Sequence, residues 1–224
     1  MIITIDGPAA SGKSTIARLL ARKLGYYYLY SGLMYRAYAY ILLTEFKYTF
    51  ADLATINIDA ISVITPDINY FYTAQENEKI FWRGIDITSH LTTAQISNAA
   101  SLVSTHTFVR QEINTLLQTI AAQHNIIADG RDMGTIVFTD ADYKFYLTAS
   151  VLVRAQRWVN AQLTLDNNYT VQQAQEIIQE RDNRDMHRAH APLQIPDDAQ
   201  VIDSSELNIE QTLDKLLLYI QRTQ

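Results

Sequence analysis

The 224-residue sequence contains no cysteine, which excludes a disulfide framework and a thiolate zinc site. It also lacks any run of the roughly 18 apolar residues that a membrane span needs. The apolar stretch after Met1 is far shorter than the core of a signal peptide, so a cytoplasmic location and no membrane partner are expected. There is no basic excess: the net charge is −6, which argues against a general nucleic-acid binder. Repeats and low-complexity tracts are missing as well. What remains is 48% hydrophobic and 19% charged residues, the composition of a folded globular chain with one core carrying small inserted lobes.

The N-terminal run Met1 to Ile5 is β-branched and stops at Asp6-Gly7-Pro8, which reads as a short buried strand. Apolar residues at Ile16, Leu19, Leu20 and Leu24 then predict a helix from Lys13, with Gly25 as its stop. A strand over Tyr27 to Tyr30 and a helix over Gly32 to Thr44 complete β-loop-α-β-α, the pattern of a parallel sheet with crossover helices. Three short runs follow, Ile61 to Thr65, Ile68 to Thr73 and Lys79 to Thr88, with Arg83-Gly84 as a further turn. They predict a small antiparallel insert. Thr93 to Ala122 reads as at least two helices and Asn125 to Ala128 as a strand. Tyr143 to Leu147 is another strand. Ser150 to Arg188 reads as mostly helical, with a polar break at Leu165 to Tyr169. The strand Gln200 to Asp203 precedes an amphipathic helix, Ile209 to Ile220.

The segment Gly7-Pro8-Ala9-Ala10-Ser11-Gly12-Lys13-Ser14 matches G-x-x-x-x-G-K-[ST] between a strand and a helix. Glycines allow backbone N–H groups to turn toward phosphates, and the helix N-terminus adds a favourable dipole. Lys13 would reach the β- and γ-phosphates of ATP and the Ser14 hydroxyl would ligate Mg²⁺, with Thr15 continuing the site. The fold class expected is thus a P-loop NTPase, a three-layer α/β/α arrangement around a parallel sheet. The metal also calls for a strand-end carboxylate. Asp129 is the candidate, with Asp6 as its competitor.

Six arginines, Arg36, Arg110, Arg131, Arg181, Arg184 and Arg188, are spread along the chain. Arg181, Asp185 and Arg188 stand at i, i+4 and i+7, on one face of a helix. Spacing alone leaves two readings open: a solvated ion-pair ladder, or a face that clamps phosphates and holds a sugar hydroxyl. Phosphoryl transfer favours the second, because its transition state spreads negative charge over the equatorial oxygens. No convincing side-chain nucleophile is present.

These segments resemble the bacterial cytidylate kinase family nearly end to end. Ile3-Thr4-Ile5-Asp6-Gly7-Pro8 is similar to its opening and Ser31-Gly32-Leu33-Met34-Tyr35-Arg36 to its S/T-G-A-M-Y-R segment. Asn98-Ala99-Ala100-Ser101, Val109-Arg110 and Ala128-Asp129-Gly130-Arg131-Asp132-Met133-Gly134-Thr135 are close matches. So are Glu180-Arg181-Asp182 with Asp185 and Arg188, Ala191-Pro192-Leu193, and Ile202-Asp203-Ser204-Ser205. The resemblance implies transfer of the ATP γ-phosphoryl group to CMP or dCMP, with Mg²⁺ and with Lys13, Arg131, Arg181 and Arg188 stabilising the transfer. It implies that Ser101, Arg110 and Asp132 read the cytosine edge. Arg36, Arg131, Arg181 and Arg188 would hold the acceptor phosphate, Ser31 would place the nucleotide and Asp185 would contact the sugar. It divides the chain into a P-loop core (1–58, 92–150, 189–224), a nucleotide-monophosphate-binding insert (59–91) and a lid region (151–188). Within that lid region Arg154 and Arg157 would contact ATP. A monomer is expected.

The chain departs from the family pattern at Tyr30, where aspartate is common, at Thr92, where arginine is common, and at Trp158, which replaces an arginine of the lid segment. Two other functions stay open from the sequence: a P-loop kinase for UMP or AMP, and an ATP-dependent binding module. The first is opposed by the Ser101, Arg110 and Asp132 set, the second by the number of arginines available for another phosphate. His187 and His190 have no third ligand nearby and read as surface histidines.

Overall fold

The computed structural model describes residues 1–163 and 169–222, with the side chains of 162 and 163 left out; residues 165–168 of the expected polar break lie outside them. Its strands are β1 (Ile2–Asp6), β2 (Tyr27–Tyr30), β3 (Ile68–Thr73), β4 (Asn77–Trp82), β5 (Ile85–Asp86), β6 (Ile126–Gly130), β7 (Tyr143–Thr148) and β8 (Gln200–Asp203). Its helices are α1 (Lys13–Leu24), α2 (Ser31–Thr44), α3 (Ile58–Ile64), α4 (Ala94–Val103), α5 (Thr107–Ala121), α6 (Val151–Leu163), α7 (Val171–His187) and α8 (Ile209–Arg222). Among the described residues no helix is long and apolar enough to cross a membrane. The chain forms two units, one of residues 1–26 and 126–222 and one of residues 27–125.

The first unit is built on parallel strands in the order β6-β1-β7-β8. Ile3, Ile5, Ile127, Phe145 and Leu147 are buried, as expected for parallel strands that read as apolar runs because helices cover them. On α1, Ile16 and Leu20 are buried at i and i+4, and on α8 Thr212, Leu216 and Ile220 repeat that spacing. These stripes face the core, while exposed positions such as Arg22 and Lys23 on α1 and Gln211, Asp214 and Lys215 on α8 carry charge and amide groups. Parallel pairing sets the carboxyl ends of β1 and β6 side by side, Asp6 opposite Gly130 and Ile5 opposite Asp129. Chemistry gathers at such strand ends in α/β sheets.

The second unit carries a small antiparallel sheet, β3-β4-β5. Ile68, Tyr70 and Tyr72 are buried while Asn69, Phe71 and Thr73 are exposed, and the partner face buries Glu78, Ile80 and Trp82. The two-residue alternation is that of a sheet with one covered face. The Tyr70 hydroxyl donates to the Tyr28 carbonyl at 2.9 Å and accepts the Tyr30 N–H at 3.1 Å, tying β3 to β2. The strand expected over Ile61 to Thr65 is instead the end of α3, with Thr65 as its C-cap. Asn57 caps that helix by accepting the Asp59 N–H at 2.9 Å, and Ala60, Ile61 and Ile64 are buried along it. Cap and packing outweigh the β preference of its branched residues.

Candidate active site

In the first unit the loop Gly7–Gly12 joins β1 to α1. A Cβ at Gly7 would stand 2.1 Å from the Leu147 carbonyl oxygen, so only glycine lets the loop leave the sheet against β7. Lys13 is buried, and its Nζ donates to the Pro8 carbonyl at 2.7 Å and to Ser11 Oγ at 3.3 Å. Burial pushes the Lys13 ammonium well below the usual lysine range; Arg131 adds to this and Asp129 opposes it. A negative phosphate beside it would favour its charged form. Ser14 Oγ donates to Asp129 Oδ2 at 2.7 Å. A hydroxyl beside a buried strand-end carboxylate is a hard-oxygen pair of the kind Mg²⁺ uses when phosphates complete its shell. Asp129 and Ser14 thus fit the metal. Asp6, its competitor in the sequence, has both oxygens engaged by backbone N–H groups of Met133 and Gly134.

Beyond β6 the chain presents Arg131 and Asp132, and α7 brings Arg181 and Asp185. Arg131 Nε donates to Asp185 Oδ2 at 2.9 Å. Arg188, which caps the end of α7, lies 4.0 Å from Asp185 and 3.7 Å from Asp132. Burial would raise the Asp185 carboxyl, but Arg131, Arg181 and Arg188 together hold it below the usual carboxylate range. Of the two readings that spacing left open, the residues form a partly buried cluster around Asp185 and not a solvated ion-pair row. It concentrates positive charge in the unit that carries the phosphate loop.

Arg154 and Arg157 on α6 approach the loop itself. Arg154 Nη1 donates to the Ala9 carbonyl at 2.9 Å and to Asp182, and its Nε to Ala149. Arg157 donates to the Ser11 carbonyl at 3.3 Å and to Ser204 Oγ and O at 3.0 and 2.7 Å. Asp182, quoted in the sequence match without a role, accepts the Ala9 N–H at 2.8 Å. Ala9 also packs with Ala155, Ala174 and Ile178, with Ala10 and Trp158 beside them. Trp158 thus sits in an apolar seam between the loop and the α6–α7 pair, edge-on to Tyr169 at 4.9 Å. His187 Nδ1 contacts the Asn183 carbonyl, and no group of three or more His, Cys, Asp or Glu able to hold a metal occurs among the described residues.

The second unit contains Ser31, Arg36, Ser101 and Arg110. Ser31 opens α2 and is buried; Ser101 on α4 and Arg110 on α5 are buried too. Arg36 donates to Ser97 Oγ at 3.3 Å and lies 5.8 Å from the centre of the Tyr30 ring. Arg110 donates to the Ser104 carbonyl at 3.0 Å and lies 5.4 Å from the Tyr35 ring. Both guanidinium groups are held against aromatic faces, a favourable setting for a cation.

A family model described as cytidylate kinase matches residues 3–222. The cytidylate kinase of Chlamydia pneumoniae is 40% identical over 224 residues, covering all of both chains. That of Shewanella pealeana is 37% identical over 224 residues, covering 99% of this chain and 95% of its own. In backbone alone the chain is similar to an uncharacterized protein from Eubacterium ventriosum, with a TM-score of 0.54 at 10% identity, covering 99% and 98% of the two chains.

Proposed function

This chain belongs to the cytidylate kinase family of nucleoside monophosphate kinases, and on that premise we propose that it transfers the γ-phosphoryl group of ATP to CMP or dCMP. The observation that carries the proposal is the joining, in one unit, of the Lys13 loop, the Ser14–Asp129 pair and the Arg131–Asp185–Arg188 cluster.

An oxygen of the acceptor's phosphate attacks the γ-phosphorus in line, and the bond to the bridging oxygen breaks, leaving ADP. With a second pKa of about 6, a phosphate monoester is largely a dianion at neutral pH. The acceptor therefore needs no general base, which suits a site rich in arginine. Lys13 and the loop bind the triphosphate, and Arg131, Arg181 and Arg188 take up charge as it spreads over the equatorial oxygens. Mg²⁺, held by Ser14 and Asp129, would neutralise β- and γ-phosphate charge. Asp185, kept ionised by its arginines, accepts from a sugar hydroxyl. Asp132, with Ser101 and Arg110, contacts cytosine, whose amino group needs an acceptor and whose ring nitrogen and carbonyl need donors. A wrong base leaves such groups unpaired, at high cost. Ser31 and Arg36 serve the acceptor, and Arg154 and Arg157 act on the ATP side through the loop they hold.

Incubation with ATP, Mg²⁺ and CMP tests the proposal: ADP and CDP must form in equal amounts. ADP release that CMP does not stimulate would contradict it.

A further inference from the structure

We infer that Asp6 is a positioning residue for base recognition, holding the turn after β6 so that Asp132 is presented to the acceptor. This rests on the proposed role of Asp132 and assigns the means by which that carboxylate is aimed.

Asp6 closes β1 and is fully buried. Its Oδ1 accepts the Met133 N–H at 2.9 Å and its Oδ2 the Gly134 N–H at 2.7 Å. Two consecutive N–H groups pointing one way form an anion-binding concavity. Here a carboxylate of the protein fills it, so the peptide planes immediately after Asp132 have one permitted orientation. The other side of the turn is tied as well. The Asp132 carbonyl accepts the N–H groups of Ile136 and Val137 at 3.0 and 3.2 Å, and that of Met133 accepts from Phe138 at 2.7 Å. This makes Met133–Val137 a wide π-type turn, a form often found at functional sites. Gly134 allows the close fit: a Cβ there would stand 2.9 Å from Thr4 Oγ1 and 3.1 Å from Pro196 Cγ.

The cost of this arrangement points to function. An ionised carboxylate is unfavourable where it is buried. Burial, with the like charge of Asp132, pushes the Asp6 carboxyl up to about 7, so it meets both N–H groups as a carboxylate above that pH, where the assays below are run. A turn needing only stability would be served by neutral acceptors. A carboxylate supplies two acceptors at one fixed spacing and can meet both N–H groups. Asparagine, of the same shape, supplies one acceptor and sets an N–H₂ group against the second donor. Asp6 is therefore separable from the metal role: its oxygens face the turn, whereas Asp129 faces Ser14.

The test compares wild type, Asp6→Asn, Asp132→Ala and the double variant in steady-state assays with CMP, UMP and ATP varied in turn. Amide hydrogen exchange at Met133 and Gly134 supplies a readout independent of activity. Asp6→Asn is expected to raise KM for CMP about tenfold, with KM for ATP changed less than about twofold, and to lower the CMP preference over UMP. Exchange at Gly134 or Met133 should quicken, and the double variant should be no more impaired with CMP than Asp132→Ala, because the two act as one unit. A raised KM for ATP or a raised Mg²⁺ requirement with CMP unaffected would overturn the inference, as would unaltered exchange. If Asp6→Asn does not fold, Asp6→Ser, which keeps one acceptor, replaces it with the same readouts. Failure of wild type to use CMP, or unchanged selectivity in Asp132→Ala, would instead strike the proposed function or the role of Asp132.

Discussion

The amide of Ala9, in the middle of the phosphate loop, donates to the carboxylate of Asp182 on α7 at 2.8 Å. The same carboxylate pairs with Arg154, which also donates to the Ala9 carbonyl. The two successive peptide units that meet at Ala9 are thereby both gripped by the α6–α7 pair. The Ala9 N–H and C=O are satisfied by protein groups that carry the charges a phosphate and a cation would bring.

Asp182→Ala should accordingly destabilise the protein by about 3–5 kcal/mol, because it leaves the buried Arg154 charge without its partner. The pair is almost fully buried, with 6% and 7% of the two side chains exposed, so solvent screening does not reduce it much. Urea unfolding measures the loss. Arg154→Ala made in the Asp182→Ala background should return part of it, since no lone charge is then buried.

Lys13→Ala should leave the fold intact and lower kcat with every acceptor by about 10²–10³, the scale for losing one donor aimed at developing charge. Because Lys13 is not proposed to touch the acceptor's base, the ratio of rates for CMP and UMP should stay as in wild type. Steady-state rates with both acceptors check this.

Asp132→Ala should raise KM for CMP by about 10–100-fold, the value of about 1.5–3 kcal/mol for a hydrogen bond to a charged group. Binding of ATP, followed by calorimetry, should change little. Unaltered CMP selectivity would remove Asp132 from base recognition.

The buried Asp6 carboxyl gives a pH signature. Burial raises it from 3.8 to about 7, with the Gly134 and Met133 N–H groups opposing that shift. Between those values the folded protein holds a proton that the unfolded chain has released. Stability from this group therefore falls as pH rises across the window, by at most about 1.4 kcal/mol per pH unit. The sign is opposite to that of Asp185, whose lowered carboxyl contributes stability that is lost as pH falls. Urea unfolding of wild type and Asp6→Asn between pH 4.5 and 6.5 isolates the term: wild type should lose stability relative to the variant as pH rises.

Features that depend on local pattern were legible in the sequence. The Gly7–Ser14 loop lies between β1 and α1, and β8 spans Gln200–Asp203, because an apolar run with turn residues at its ends needs no distant partner to be read. The helical form of Ile61 to Ile64 is not legible in that run itself, because a cap at Asn57 and burial along one helical face decide it. In the candidate site, side-chain chemistry pointed to Ser14 and Asp129, which the structure holds 2.7 Å apart, and to Arg131 and Asp185, which it pairs. The grip of Asp182 on Ala9 and of Asp6 on Met133 and Gly134 could not be read. Both are bonds from a side chain to a distant backbone amide, and an amide carries no sequence signature.

The account stands most directly on which acceptor the enzyme uses. ADP release coupled to a spectroscopic assay, with CMP, dCMP, UMP and AMP offered at equal concentration with ATP and Mg²⁺, measures it. Turnover with CMP and dCMP well above that with UMP and AMP is the predicted result, and preference for AMP, or release independent of any acceptor, would contradict it.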